Sequence, residues 1–444
     1  MKRTRRRVVA ALALVSATSL VASACSSGSE GGEGGEEEAT LRIFVHANPP
    51  TDAGFEAINA MFEEQHPGVT VELTTAQGAD FFTVRNTRLT AENVDITEGS
   101  SSGGTRLLPD WVQDQTESDW VVGLQAGTWV DLTDQPFLDN FSPEIMEAYE
   151  YEGRSYAVPT GTSLVGGVYY NTALFEEHGL ELPTTWDELL HVIDVFEAAG
   201  VAPFIMGGKD VWPAGAPMYG LVQSLFPDSA ALDQGLWEGD VQLTDPEVVT
   251  LMERLATIYA HTYPQWEGID YSSVPARFAA GDAAMMPDGG WSIPAIQEAD
   301  PDFEFGYFPL PGSDNAADND TIAGKLEFSL SIPTSSDNQE LAMEWLALYS
   351  DPEVYSDFIV ASGFGTAQPD VELGPVLQGV QQYLPEGGFT PSWDQVFHGN
   401  RYAGPLAANP FAFDNVAPVG TYTDMAELTA RMNDDWQVGL DSLP

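Results

Sequence analysis

Apolar and polar positions repeat along the chain in two periods, one typical of strands and one typical of helices. Residues 41–45 form a short, mostly apolar run of the kind found in strands. Residues 53–65 follow with apolar side chains three and four positions apart, which predicts a helix. Pro67 and Gly68 end that pattern, and residues 69–73 predict a second strand. The folded part of the chain therefore begins with a strand, a helix and a strand.

A capping box marks the clearest helix start further along. Thr185 followed by Glu188 predicts a helix over residues 186–199, and Gly200 stands where a left-handed C-terminal residue is common. The same periodicity predicts two further helices, over residues 246–259 and 338–349. Alternation of strands and helices predicts an α/β protein with mixed sheets, and the sequence contains no internal repeat.

The first 24 residues have the composition of a secretory signal. Five basic residues precede an apolar stretch over residues 8–21, which is too short to span a bilayer. Small residues then lead to Cys25, the only cysteine, in a pattern that resembles a bacterial lipobox with Ala22 where leucine is usual. This pattern predicts cleavage before Cys25 and its acylation, for example with palmitate. The alternative is ordinary signal cleavage beside an incidental cysteine.

Composition limits what the rest of the chain can be. Residues 25–39 contain the cysteine and then mostly Gly, Ser and Glu, which predicts a flexible linker. Without residues 1–24 the chain carries 11 Lys+Arg against 68 Asp+Glu, a net charge of −57 with His neutral. Such a surface disfavours nucleic acid and anionic lipid as partners. About 400 residues exceed what one hydrophobic core usually serves, so we expect two lobes.

The sequence contains partial matches to enzyme and metal-binding motifs. Residues 99–103 match G-x-S-x-G, but they lie in a Ser/Gly run without the strand and helix that a nucleophile elbow needs. Residues 314–320 are acidic but lack the EF-hand spacing, and no H-E-x-x-H is present. With 68 acids, paired glycosidase carboxylates cannot be recognised by counting. A surface enzyme that degrades polysaccharide, or a sugar-binding protein without a transport role, therefore stays open as the alternative function.

Four segments carry a resemblance to a known family. They contain PGVTVEL at 67–73, YYNTALF and LPTTWDEL between 169 and 189, FAAGDAAMM followed by GGW at 278–291, and ELAMEWL at 340–346. In this order they resemble the extracellular solute-binding proteins of carbohydrate ABC importers, the maltose-binding-protein-like family 1. The likeness extends over essentially the whole mature chain.

The resemblance implies a two-lobed, periplasmic-binding-protein-like α/β fold with a ligand cleft between the lobes and a hinge of several chain crossings. Lobe 1 would comprise residues 40–160 and 327–388, and lobe 2 residues 163–325 and 390–444. Closure of the lobes around a neutral sugar or oligosaccharide would create the form that the permease subunits of an ABC importer recognise. The resemblance implies no catalysis and no cofactor, a monomer, and a place on the outer face of the cytoplasmic membrane with the lipid anchor as its only membrane contact.

The resemblance also places residues at the cleft. Trp291 stands where the family has a tryptophan that stacks on sugar, and Trp212 and Asp210 follow a strand that ends in glycines. Each of these has a structural alternative, as a core residue, a loop anchor or a helix cap, whereas Trp186 and Trp345 lie on strongly patterned helices and are expected in the core. The full set of predicted binding residues is Trp291, Trp212, Asp288, Asp210, His46, Asn48, Ser102, Ser163, Lys325, Glu327 and Trp393.

This chain departs from its relatives at two cleft segments. Pro49 and Pro50 occupy the first loop, where some relatives have a charged residue. Residues 98–102 read Glu-Gly-Ser-Ser-Ser, where maltose binders have an aromatic side chain and charges. The sequence therefore leaves the identity of the sugar open.

The predicted anchor gives a first test. Cys25→Ser removes the acylated thiol, so the variant is expected to remain uncleaved or to be secreted freely. Fractionation of cells into membrane and medium measures this. A variant that partitions with membranes as the wild type does would refute the lipoprotein prediction.

Overall fold

The computed structural model describes residues 39–76, 78–100, 103–384, 390–407 and 411–444. The signal segment, Cys25, the linker up to residue 38 and Ser102 lie outside the described residues, so what the sequence predicts for them stays a prediction. The first strand begins at Ala39, one residue inside the predicted linker.

Fourteen strands are found in the described part of the chain. They are β1 (Ala39–His46), β2 (Val69–Ala76), β3 (Ile96–Glu98), β4 (Glu150–Tyr151), β5 (Arg154–Ser155), β6 (Val158–Pro159), β7 (Thr162–Val165), β8 (Gly167–Asn171), β9 (Ala202–Phe204), β10 (Ala283–Pro287), β11 (Phe305–Pro309), β12 (Ala323–Leu326), β13 (Ser329–Ser331) and β14 (Thr390–Pro391).

Fifteen α-helices accompany the strands in the same described ranges. They are α1 (Pro49–Gln65), α2 (Gly78–Thr90), α3 (Asp119–Gln125), α4 (Pro143–Glu147), α5 (Thr172–His178), α6 (Trp186–Ala199), α7 (Ala216–Leu225), α8 (Ser229–Glu238), α9 (Pro246–Ala260), α10 (Val274–Ala279), α11 (Ile293–Ala299), α12 (Gln339–Tyr349), α13 (Pro352–Ser362), α14 (Pro375–Gly379) and α15 (Met425–Asp441). The predicted helices and strands are thereby confirmed, with shifts of a few residues at their ends.

The predicted capping box is half right. Thr185 Oγ accepts a hydrogen bond from the backbone N–H of Glu188 at 3.2 Å, as expected. The Glu188 carboxylate, however, accepts from the N–H and hydroxyl of Thr184 instead of from Thr185. Gly200 ends the helix with φ at 78°, the left-handed conformation that glycine adopts without a Cβ penalty.

Two mixed sheets organise the fold. The first has the strand order β2-β1-β3-β13-β6, with β1 parallel to both of its neighbours. The second has the order β11-β8-β10-β9, in which β8 and β10 are antiparallel and β9 and β10 parallel. The predicted α/β class with mixed sheets is therefore confirmed.

Each of these sheets is covered on both faces. In β1, Ile43 and Val45 pack with α1, α12 and α13, whereas Phe44 between them packs on Phe81 of α2. In β10, Met285 and Met286 likewise belong to different clusters. The alternation of side chains along a strand thus gives each sheet two apolar layers. Trp186 and Trp345 are buried in these layers, as predicted.

A third sheet links the first two, and we call it the linking sheet. It consists of β7, β12 and β14, with β12 antiparallel to β7 and parallel to β14. Only residues 160 and 161 separate β6 of the first sheet from β7, and residues 327 and 328 separate β12 from β13. The chain therefore passes between the two large sheets at the linking sheet.

One segment packs away from its neighbours in the sequence. Residues 105–117 lie in the sequence between strand β3 of the first sheet and helix α3. Val112 within this segment is nevertheless buried in the hydrophobic core around the second sheet. Arg106 Nη2 donates to the carbonyl oxygen of Val396 at 2.7 Å, and Asp114 pairs with Arg401 at 2.7 Å. The segment thus connects the first sheet to the C-terminal part of the chain.

Candidate functional site

The C-terminal ends of β1 and β3 bring a histidine and a glutamate together. His46 ends β1 and Glu98 ends the parallel strand β3, so both side chains leave the same edge of the first sheet. His46 Nδ1 and Glu98 Oε1 are 2.6 Å apart, and the His46 ring meets Phe328 edge-on at 4.8 Å. Burial lowers the pKa of His46, but the charge and hydrogen bond of Glu98 outweigh it and hold that pKa above its ordinary value.

The linking sheet contributes three polar side chains from one face. Lys325 of β12 pairs directly with Ser163 of β7, which turns both side chains to the same side. Glu327, two residues further, also lies on this side, with its Oε1 3.7 Å from Lys325 Nζ. Three predicted residues are thereby neighbours.

Trp291 lies against this polar face. It belongs to a 3₁₀ turn directly after β10, and Lys325 Nζ is 4.8 Å from the centre of its ring. The ring also rests on Gly289, where an added Cβ would lie 2.3 Å from two ring carbons. A side chain at position 289 would collide with the Trp291 ring in this position, so Gly289 suits it.

A second tryptophan lies beside the first. The rings of Trp212 and Trp291 are 6.3 Å apart at 59°, and 46 % of Trp212 is exposed. Trp212 also meets Tyr271 edge-on at 4.5 Å. The preceding residue, Val211, has φ at 63°, a conformation that strains a β-branched residue and often marks a functional loop.

The carboxylate of Asp288 is buried and accepts hydrogen bonds from other groups of the protein. Its Oδ2 accepts from the hydroxyls of Tyr271 at 2.9 Å and Ser292 at 2.7 Å, and its Oδ1 accepts from the N–H of Gly289. Burial raises the pKa of Asp288 to about 6, although these hydrogen bonds act in the opposite direction. Asp288 is therefore connected to Trp291 through the Tyr271 hydroxyl, and Lys325 lies over the ring of the same tryptophan.

Asp210 and Asn48 have local partners of their own. The exposed carboxylate of Asp210 accepts from the backbone N–H of Tyr271 at 2.9 Å, which ties its loop to the next. Asn48 occupies the N-cap position of α1, and its side chain makes no capping hydrogen bond. Its backbone N–H lies 3.4 Å from Asp52 Oδ1.

Three buried polar atoms around the linking sheet lack a hydrogen-bond partner among the described residues. They are Ser163 Oγ, Glu327 Oε1 and Trp393 Nε1. Trp393 is buried in the second core, with its ring 6.0 Å from that of Tyr219. Because a buried polar group without a partner is costly, these atoms are candidates for hydrogen bonds to a ligand.

Two cavities lie elsewhere in the described part of the chain. One, of about 740 Å³, is bordered by Phe82, Arg85 and Trp120 on one side and residues 397–401 on the other. The second, also about 740 Å³, is mostly apolar and touches the opposite face of the linking sheet, at Thr162, Leu164 and Leu326. Among the described residues of the predicted binding set, none borders either cavity.

The structure thus brings together most of the predicted residues that it describes. Contacts link Ser163, Lys325, Glu327, Trp291 and Trp212 in turn, and the charges of Lys325 and Glu327 act on His46. Tyr271 joins Asp288 to Trp291 and Asp210 to Trp212, whereas Trp393 belongs to the core of the second sheet. The predicted set omitted Glu98, although its segment was placed at the cleft, and it omitted Tyr271. Glu98 ends a strand parallel to that of His46, and this signal would have identified it.

The described residues offer no group of three or more His, Cys, Asp or Glu side chains that could hold a metal ion. Within the same residues, no helix combines the length and the apolar character needed to cross a membrane.

The raised pKa of Asp288 predicts a pH dependence of stability. A carboxyl group whose pKa rises on folding stabilises the protein below its unfolded value, near 3.8, and this contribution is lost as the pH rises through about 6. Asp288→Asn removes that titration. The free energy of unfolding of the wild type relative to the variant is therefore expected to fall by about 3 kcal/mol between pH 3.5 and pH 7. Urea unfolding at several pH values measures the difference, and a difference independent of pH would contradict the prediction.

Known proteins are similar to this chain over much of its length. A family model described as bacterial extracellular solute-binding protein matches residues 47–355. A multiple sugar-binding protein of Streptococcus mutans is 27% identical over 304 residues, which cover 67% of this chain and 68% of that protein. A maltotriose-binding protein of Pyrococcus abyssi is 28% identical over 46% of this chain and 40% of that protein.

Solved structures show the same fold. RafE in complex with raffinose superposes with a TM-score of 0.74 at 23% identity, covering 90% of this chain and 99% of that one. A sugar transporter structure from Bacillus licheniformis in complex with stachyose gives 0.68 at 18% identity, with 90% and 100% covered. These matches confirm the predicted two-lobed fold. Since the family model covers more than half of its length, this chain belongs to the family of bacterial extracellular solute-binding proteins.

Proposed function

We propose that this protein binds a carbohydrate, a neutral sugar or oligosaccharide, and delivers it to an ABC importer. The ligand would lie between two lobes, residues 40–160 with 327–388 and residues 163–325 with 390–444. The family supports an extracellular solute-binding role, and several relatives and structural neighbours are named for the sugars that they bind. Binding requires no bond to be broken, so we propose that the protein is not an enzyme.

One observation carries this proposal. A pair of tryptophan rings, Trp291 and Trp212, adjoins a polar face whose buried Ser163 Oγ and Glu327 Oε1 accept no hydrogen bond from the described residues. Sugars need both kinds of surface. Their C–H faces pack on aromatic rings, and each hydroxyl that leaves water needs a new hydrogen-bond partner.

The charges near the rings support a neutral ligand. Lys325 is the nearest cation described beside Trp291, and it already lies 3.7 Å from Glu327. Glu98 likewise faces His46. An anionic ligand would have to compete with these carboxylates, whereas hydroxyl groups can donate to the carboxylates and accept from Lys325. His46, Asn48, Asp210 and Trp393 complete the proposed set, with Asp288 as support and Ser102 included from the sequence alone.

Cellular context completes the proposal. We propose a monomer tethered through acylated Cys25 to the outer face of the cytoplasmic membrane, with the linker giving it reach to permease subunits. The signal-like first 24 residues and the glycine- and glutamate-rich linker support this placement.

A thermal-shift screen tests the function. The panel would contain galactose, maltotriose, raffinose, stachyose and chitin oligosaccharides, with glucuronate as an anionic control. A ligand at one hundred times its Kd stabilises the folded state by about 2.7 kcal/mol, so a neutral binder is expected to raise Tm measurably. A shift with glucuronate alone would contradict the neutral assignment, and release of reducing ends from the oligosaccharides would favour the enzyme alternative.

Trp291→Ala tests whether the Trp291 ring stacks on the sugar. Loss of a buried aromatic anchor costs about 2–4 kcal/mol of binding, which corresponds to roughly 30- to 1000-fold in Kd. The melting temperature is expected to fall less than for a core tryptophan, because Trp291 is only half-buried. Calorimetry with the best sugar of the screen measures the affinity, and a near-normal Kd would remove Trp291 from the site.

Trp345→Phe is the matched control. Trp345 is fully buried beneath α1, and its Nε1 donates to Asn59 Oδ1 at 2.9 Å. This variant is expected to lower Tm while leaving Kd unchanged. Equal losses of affinity in the two variants would show that both act through folding.

A further inference from the structure

We propose that Tyr271 is a positioning residue, which holds Trp291 and Trp212 in the arrangement that a sugar meets. The inference rests on the proposed function and identifies a residue of the site that the sequence did not reveal. Tyr271 begins a 3₁₀ turn between α9 and α10, and its hydroxyl group, its backbone N–H and its ring all make contacts near the two tryptophans.

The hydroxyl group of Tyr271 makes the first two contacts. Trp291 Nε1–H donates to it at 2.6 Å, and the hydroxyl donates to Asp288 Oδ2 at 2.9 Å. The directions are fixed, because an indole nitrogen can only donate and an ionised carboxylate can only accept. The result is a relay from the indole through the phenol to a buried carboxylate. Ser292, which donates to the same carboxylate oxygen, keeps that acceptor in place.

The backbone N–H and the ring of Tyr271 make two further contacts. Its N–H donates to Asp210 Oδ2 at 2.9 Å, and its ring meets Trp212 at 4.5 Å and 64°. Val211 between these two residues has φ at 63°, so the loop needs external support to keep this conformation. Tyr271 supplies that support from the neighbouring turn.

The consequence for binding is preorganisation. Trp291 is half-buried and rests on Gly289, so the indole N–H···O bond restricts its rotation on that support. Without the hydroxyl, the indole would sample other rotamers, and a sugar would have to order it on binding. Loss of the hydroxyl group is therefore expected to weaken sugar binding and to change the environment of the Trp291 indole group.

Tyr271→Phe tests this inference, because it keeps the ring beside Trp212 and removes only the hydroxyl. The expected loss of affinity is about 3- to 10-fold, the range for one hydrogen bond. It is measured by calorimetry with whichever of raffinose, stachyose or maltotriose binds best. In ¹⁵N-tryptophan-labelled protein, the indole N–H signal of Trp291, assigned with Trp291→Phe, is expected to shift or broaden, while that of Trp345 stays in place.

Tyr307→Phe is the matched control. Its hydroxyl is also buried at Asp288 but donates to the backbone carbonyl at 2.8 Å and accepts from Gly167, without touching Trp291. This variant is expected to lose stability yet to keep both the Trp291 signal and the affinity. Equal effects of the two tyrosine variants on Kd, or an unchanged Trp291 signal in Tyr271→Phe, would overturn the proposal. If no sugar binds even the wild type, the proposed function fails and the Trp291 signal alone decides whether Tyr271 holds the ring.

Discussion

The register of the linking sheet is the constraint on which the candidate site depends. Side chains alternate between the faces of a strand, so pairing Ser163 with Lys325 turns both to one side and Thr162, Leu164 and Leu326 to the other. The first side meets Trp291, and the second borders an apolar cavity. A slip of one residue would exchange the two sets, which would bury an ammonium group among leucines and place leucines at the site. The short strands are held in register by bonds beyond their ends, such as that from Glu327 N–H to the Gly161 carbonyl.

Local charge balance is the second feature that the parts of the site share. The chain carries 68 acidic and 16 basic residues, and yet each of the three buried carboxylates of this region has either a cation or hydrogen-bond donors beside it. Glu98 faces His46, Glu327 faces Lys325, and Asp288 accepts three hydrogen bonds from uncharged donors. Burial of a carboxylate is costly unless such partners exist. Asp288 has no cation beside its carboxylate, and burial raises its pKa to about 6.

Much of the fold could be predicted because its signals are local. Periodicity located the helix α6, and a glycine with left-handed backbone ends it, as expected. Details that depend on rotamers were missed, such as the use of Thr184 instead of Thr185 by Glu188. The start of α1 was also missed, because Pro49 and Pro50 look like a helix-free stretch although proline suits the first helical turn.

The site was predictable only where position along a strand or a family motif indicated a residue. The resemblance to the family placed Lys325, Glu327 and Trp291 at the cleft. Tyr271 gave no such signal. It lies in a short turn, 20 residues before Trp291 and 59 after Trp212, and only the folded chain brings these three together.

The two halves of the site differ in how they are fixed, and this difference bears on specificity. Ser163 and Lys325 project from strands whose backbone hydrogen bonds set their spacing. Trp212 and Trp291 project from turns after strands, and single side-chain contacts to Tyr271 hold them. Hydrogen-bond donors and acceptors at fixed spacing discriminate between arrangements of hydroxyl groups, because a mismatch leaves a buried polar group unpaired. Aromatic faces tolerate more variation, since every pyranose presents a C–H surface. In the proposed function, the linking sheet therefore selects the sugar, and the tryptophans supply affinity that differs little between sugars.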